Sequence, residues 1–162
     1  MQAYLAESAV IDFSDPEILA LAGKLERING YESYAPACFS WVQNEVQHSA
    51  DCESDVVTCN ASEVLRERVG ICYAKSHLLV ALLRARGIPA GFVYQRLALD
   101  VPGKFCLHGL AGIWSNGSWY RVDPRGGARG AGVRFTPPVE HWVYESNARG
   151  EWTSSKILAD PL

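Results

Sequence analysis

Residues 72–86 constrain this chain more than any other stretch. Leu78, Leu79, Ala81, Leu82 and Leu83 leave little polar face on the segment that begins at Cys72 and ends at Arg86. A helix that is apolar nearly all round has to be covered on most sides. Gly87 supplies a left-handed end and Pro89 prevents continuation, so one buried helix is predicted over Cys72–Arg86.

The segments before it also read as helices. Ser14 or Asp15 can cap a helix with Pro16 in its first turn; Ile18, Leu19, Leu21, Ala22, Leu25 and Ile28 form its apolar stripe, and Gly30 ends it. A second helix is predicted from Tyr34 to His48, on the three- and four-residue spacing of Ala37, Cys38, Trp41, Val42 and Val46. Ser49–Cys59 is polar and acidic and reads as a loop. Asn60 can cap a short helix, Ala61–Arg68, that stops near Gly70.

The chain after Pro89 changes character. Gly91–Leu99 and Phe105–Trp114 read as strands, and Ser115-Asn116-Gly117-Ser118 as a tight hairpin turn leading to a partner strand, Trp119–Val122. Further strand character lies at Val133–Phe135 and Trp142–Tyr144. The C-terminal Lys156–Leu162 reads as a last strand or a docking tail. Helices followed by strands predict an α+β fold, an antiparallel sheet packed on helices. With 162 residues, 48% hydrophobic and 20% charged, a single domain over residues 1–162 is expected.

A net charge of −3 argues against nucleic acid as the main partner. No stretch approaches the roughly 18 apolar residues of a membrane span, and the N-terminus lacks the basic start of a secretion signal. The five cysteines, Cys38, Cys52, Cys59, Cys72 and Cys106, are an odd set, which predicts reduced thiols and a cytoplasmic protein.

Cys72 differs from the other four by position, because it opens the apolar helix. A helix N-terminus offers unpaired N–H groups and a partial positive charge, which favour a thiolate and an oxyanion beside it. A nucleophile needs a base. His77 lies about 140° round the helix from Cys72 and reads as a packed structural side chain. His48 and His141 carry no distinguishing signal. His108 does: it sits in the strand Phe105-Cys-Leu-His108-Gly109-Leu110, and a glycine inside a strand marks close approach of another group. The partner strand ends in Asp123-Pro124, from which a carboxylate can reach the distal nitrogen of His108.

These residues converge on a family. The run from Ala61 through Val69-Gly-Ile-Cys72 to Arg84-Ala-Arg-Gly-Ile-Pro-Ala90 resembles the nucleophile segment of the transglutaminase-like superfamily. His108 and Trp119-Tyr-Arg-Val-Asp123-Pro124 resemble its histidine and aspartate blocks. Trp41-Val42, with Asn44 and Val46, resembles the helix that precedes the nucleophile. The similarity spans Ala35 to Arg125. It implies a papain-like core with the nucleophile at the start of a central helix packed on an antiparallel sheet. Carried over, Cys72 is the nucleophile, His108 base and acid, and Asp123 the orienting carboxylate. The implied activity is amide hydrolysis or acyl transfer through a thioester on a peptide or amide substrate, with peptidase or amidase the first choice. A glutamine cross-linker and a non-catalytic peptide-binding module are the alternatives. The Cys72 N–H is the expected oxyanion donor, and no second donor is identifiable. Tyr73-Ala-Lys-Ser76 departs from the commoner family sequence after the nucleophile.

No cofactor and no metal are expected, calcium included, since no acidic calcium loop is present. His48, Cys52 and Cys59 do not have the spacing of a zinc site. Gly127–Gly132 matches a dinucleotide fingerprint only loosely and has no βαβ unit around it. Arg125, Arg129 and Arg134 make a basic loop, read as solvated or as a clamp for a substrate carboxylate. Oligomeric state is open.

Overall fold

The computed structural model describes residues 1–126 and 132–162. A 3₁₀ turn, Gln2–Leu5, leads into helices α1 (Pro16–Asn29) and α2 (Tyr34–Glu45). A two-residue strand β1 (Gln47–His48), helix α3 (Ala61–Glu67) and strand β2 (Val69–Gly70) follow. Then come α4 (Cys72–Arg84), β3 (Ala90–Ala98), β4 (Phe105–Ser115), β5 (Ser118–Val122) and β6 (Trp152–Thr153).

Local chemistry sets most of these boundaries. The Asp15 side chain accepts the Glu17 N–H at 2.9 Å, with Pro16 at the first helical position. Glu63 closes the start of α3 by accepting the N–H groups of Cys59 and Asn60 at 3.0 and 3.1 Å. Asn116 and Gly117, both at positive φ, make the β4–β5 turn.

The α4 helix is the hub. Every residue from Cys72 to Arg84 except Tyr73 is buried. It contacts α1, α2, α3, β3 and β4. The sheet is antiparallel in the order β5-β4-β3-β6, and a separate parallel pair joins β1 to β2. At the far end of α4, the buried Arg84 guanidinium donates to the carbonyls of Ala90, Ala6 and Ala159, tying both chain ends to the hub.

Two expectations are corrected, and a third, left open by the sequence, is filled in. The second helix stops at Glu45, not His48, because Gln47 and His48 leave it to pair with Val69 and Gly70. Gln47 donates to the Arg68 carbonyl at 2.8 Å and Ser49 to that of Gly70 at 3.3 Å. Val133–Phe135 and Trp142–Tyr144 are not strands. Their backbones pair with side chains: the Val133 carbonyl accepts from Gln43 at 3.0 Å and the Val143 N–H donates to Asp123 at 3.0 Å. The third concerns the C-terminal tail, left open between strand and docking tail. It lies along the edge of β3 that β6 also pairs with, where Phe92 and Leu158 exchange backbone hydrogen bonds of 2.8 Å. Gly91 permits this, since a Cβ there would collide with the Leu158 carbonyl.

Candidate active site

Cys72 is the first residue of α4, 8% exposed. Its position against the sheet depends on Gly109 of β4. A Cβ at Gly109 would lie 2.9 Å from the Tyr73 Cα, so only glycine lets the helix start come this close. The Gly109 N–H donates to the Cys72 Sγ at 3.3 Å.

His108, one residue earlier in β4, is 3% exposed and lines the same cavity as Cys72, near enough to favour its thiolate. Its Nε2 lies 2.8 Å from the Asp123 Oδ2. Strand register explains that contact. Ala111 pairs with Val122, so Asp123, one residue further, is diagonal to His108 on the same face. Asp123 is fully buried, and its carboxylate also accepts the N–H groups of Arg125 and Val143, each at 3.0 Å. Tyr144 packs edge-on to the His108 ring, with centroids 5.0 Å apart.

Two buried cysteines show what this environment does. Burial disfavours a thiolate, and Cys38, with no imidazole beside it, is pushed up to about 12. Burial acts on Cys72 in the same direction. Hydrogen bonds from His108 and His48, the charge of His108 and the Gly109 N–H outweigh it, and the Cys72 pKa falls to about 6. Burial likewise opposes the charged form of His108, but the Asp123 hydrogen bond and the nearby sulfur dominate and raise it to about 10. The pair therefore favours thiolate and imidazolium at neutral pH.

The sulfur faces a cavity of about 540 Å³. Ile71, Leu97, Leu99, Leu107 and Val143 give it an apolar lining, with Asp100, Glu145 and Glu151 also on its wall.

The profile of the transglutaminase-like superfamily matches residues 20–124. The chain belongs to that superfamily. Uncharacterised proteins of Mycobacterium tuberculosis and Mycobacterium bovis are each 27% identical to it, over 58% of this chain and 37% of theirs. A candidate cysteine protease from Cytophaga hutchinsonii superposes with a TM-score of 0.59 at 24% identity, covering 75% of this chain and 40% of that one. The periplasmic domain of TgpA from Pseudomonas aeruginosa superposes at 0.54 with 23% identity, covering 75% and 46%. At these identities the structural likeness is one of fold, mixed helices with an antiparallel sheet. The chain spans less than half the length of these relatives.

In this superfamily member, of the three residues singled out from sequence, His108 and Asp123 are in hydrogen-bond contact, and Cys72 lines one cavity with His108. His77 lies elsewhere, between Tyr73 and Phe92, with Nδ1 2.8 Å from the Cys59 carbonyl. Arg125 is not a free clamp for a substrate carboxylate. It is 2% exposed and holds both oxygens of Asp51 at 2.9 Å. Arg129 lies outside the described residues, as does the stretch 127–131 of the glycine-rich loop. Lys75, one of the departures from the family sequence, is buried and donates to the Gln43 and Val46 carbonyls at the end of α2. Among the described residues, no three His, Cys, Asp or Glu side chains group as metal ligands, and no helix is long and apolar enough to cross a membrane.

Sequence reasoning missed His48 and Tyr144. His48 looked like the end of a helix; it lines the cavity beside Cys72 instead. Its placement follows from pairing with a strand about twenty residues later, for which two residues carry no periodic signal. Tyr144 read as part of a strand and covers His108 from a loop.

Proposed function

We propose that the protein is a cysteine-dependent amide hydrolase or acyltransferase acting through a thioester, with hydrolysis of a peptide or amide as its reaction. Cys72 is the nucleophile, His108 the base and acid, and Asp123 the carboxylate that holds the His108 tautomer. The observation that carries this reading is a buried carboxylate 2.8 Å from an imidazole that shares one cavity with a thiol at a helix start.

The chemistry follows from those contacts. The Cys72 thiolate attacks the amide carbonyl carbon, and the carbonyl electron pair moves to oxygen. Collapse re-forms the carbonyl and expels the amine, which takes the His108 proton. Neutral His108 then accepts a proton from water as the water attacks the thioester. Cys72 leaves as thiolate beside imidazolium, and the cycle closes. The apolar wall of the cavity suits the aliphatic part of a peptide. Five free thiols support a reducing, cytoplasmic setting, with residues 1–162 acting as one domain.

The test is two-fold. Iodoacetamide at neutral pH labels Cys72 far faster than Cys38, Cys52, Cys59 or Cys106. On peptide and amide libraries, Cys72→Ala abolishes turnover while its circular dichroism matches the parent. Uniform slow labelling, or full turnover by the alanine variant, refutes the assignment. Incorporation of a labelled primary amine into a glutamine peptide distinguishes acyl transfer from hydrolysis.

A further inference from the structure

Gln95 stands directly across the β3–β4 pair from His108 and, on its other side, across from Thr153 of β6. It is fully buried. Its Nε2 donates to the Tyr144 carbonyl at 3.0 Å and to the Thr153 Oγ1 at 2.9 Å. A carbonyl can only accept, so the amide nitrogen, not its oxygen, must face Tyr144. The Gln95 Oε1 is left with no partner among the described residues. A buried acceptor without a donor is a net cost. An apolar side chain of that length would fill the space without the cost, so what Gln95 alone supplies is the NH₂ group.

That group holds a segment with no ladder of its own, since Trp142–Tyr144 belongs to no strand. Two consecutive residues of the segment reach the His108–Asp123 pair. Val143 gives its N–H to the Asp123 Oδ2 at 3.0 Å, the same oxygen that faces the His108 Nε2. The Tyr144 ring packs edge-on to the His108 ring and lines the cavity that holds Cys72. Gln95 ties down the carbonyl of that same tyrosine, and Ser146, two residues on, meets the Thr153 hydroxyl at 2.8 Å. One side chain thus fixes the loop that covers His108 to the sheet that presents it.

We infer that Gln95 is a positioning residue for the reaction: by fixing the Tyr144 carbonyl it holds the Tyr144 ring and the Val143 N–H on the His108–Asp123 pair, so that the imidazole keeps its orientation and water stays off the bond between them. This rests on the thioester chemistry proposed above. Hydrolysis of the thioester depends on it most. In that step the water oxygen bonds to the carbonyl carbon, neutral His108 takes the water proton on Nδ1 while its Nε2–H stays on Asp123, and Cys72 leaves as thiolate. A ring free to turn presents Nδ1 to that water for less of the time. A hydrogen bond in a dry site is also electrostatically stronger than one that water reaches. Attack of an already formed thiolate on saturated carbon needs no base.

Three readouts on the full chain test this. 4-Nitrophenyl acetate places an acetyl group on the Cys72 sulfur, releasing 4-nitrophenolate, and its later loss from the Cys72 peptide, followed by mass spectrometry, reports hydrolysis. Iodoacetamide labelling of the same sulfur reports the thiolate alone. The His108 Nε2 proton, assigned by NMR as the downfield signal missing from His108→Gln, reports through its exchange rate whether water reaches the bond to Asp123. Gln95→Met keeps the side chain's length and removes the donor. It is expected to slow deacetylation at least about tenfold, part of the 10²–10⁴-fold that a positioned base supplies, while labelling stays within about threefold. Proton exchange should speed up roughly 30-fold, the worth of two ordinary hydrogen bonds. Tyr144→Ala, which removes the ring itself, should show the same pattern. Deacetylation or proton exchange at the parent's rate in Gln95→Met would overturn the inference, as would equal losses in labelling and deacetylation. A parent with no such proton signal has water at that bond already and overturns it too. If Gln95→Met does not fold, Gln95→Glu, which keeps the shape without the NH₂, carries the test at mildly alkaline pH; failure of both to fold makes Gln95 a structural residue and also counts against it. A parent whose Cys72 is acetylated no faster than Cys52 and Cys106 sinks the thioester reading itself. A parent that is acetylated and deacetylated, with Gln95→Met indistinguishable from it, sinks only the role of Gln95.

Discussion

Asp123→Asn removes one charge without changing the volume of a fully buried side chain. The native carboxylate accepts three donors: His108 Nε2 at 2.8 Å and the Arg125 and Val143 N–H groups at 3.0 Å. An amide has one oxygen to offer. With that oxygen toward His108, the NH₂ opposes the Arg125 N–H. Turned over, the NH₂ opposes Val143 and forces the His108 proton onto Nδ1, the sulfur side. Either way the imidazolium loses its counter-charge. Breaking a buried charge pair costs about 3–5 kcal/mol. At about 1.36 kcal/mol per decade, acylation of Cys72 by 4-nitrophenyl acetate should slow roughly 10²–10⁴-fold. The thiol should respond as well. His108 hydrogen bonding and charge help bring Cys72 down to about 6. Without a readily protonated His108, the midpoint of the alkylation–pH curve should move up by more than about one unit, toward the ordinary thiol value near 8.5. The assay is the rate of iodoacetamide labelling of Cys72 across pH, beside the acylation rate at one pH. A midpoint within about half a unit of the parent, with acylation within about threefold, would refute the role given to Asp123.

Two more predictions follow from the same contacts. Alkylation of Cys72 should climb to a plateau as pH rises through about 6, since the lowered thiol ionises there. Amide turnover, which also needs the His108 proton for the leaving amine, should fall again as pH passes about 10, where the raised imidazolium deprotonates. A labelling curve with a single rise near 8.5 would show that the thiol is not activated. Gly109→Ala would set a Cβ 2.9 Å from the Tyr73 Cα, a backbone atom that can move only with the helix. A stability loss of roughly 1–3 kcal/mol in urea unfolding, with slower Cys72 labelling, is expected from such overpacking; a stability equal to the parent's would show that the helix start is not held by that contact.

The parts of this protein legible in its sequence are those whose causes lie within a few residues of one another. Asp15 beside Pro16 starts a helix, Asn116-Gly117 turns a hairpin, and the leucines of α4 demand burial wherever that helix sits. Cys72, His108 and Asp123 could be named because each sits in a local block resembling a known family. Bringing them to one place required the β4–β5 register and the absence of a side chain at Gly109. His48, Arg125 with Asp51, and the tail that pairs with Phe92 had no such local mark. Each is placed by a partner 20 or more positions away, through a two-residue ladder, an ion pair or a single bridge. Helical periodicity and turn chemistry repeat along the chain and can be read there. Pairing between distant backbone segments leaves no periodic trace, because it is selected by how the whole set of buried surfaces fits together, and so it appears only once the chain has folded.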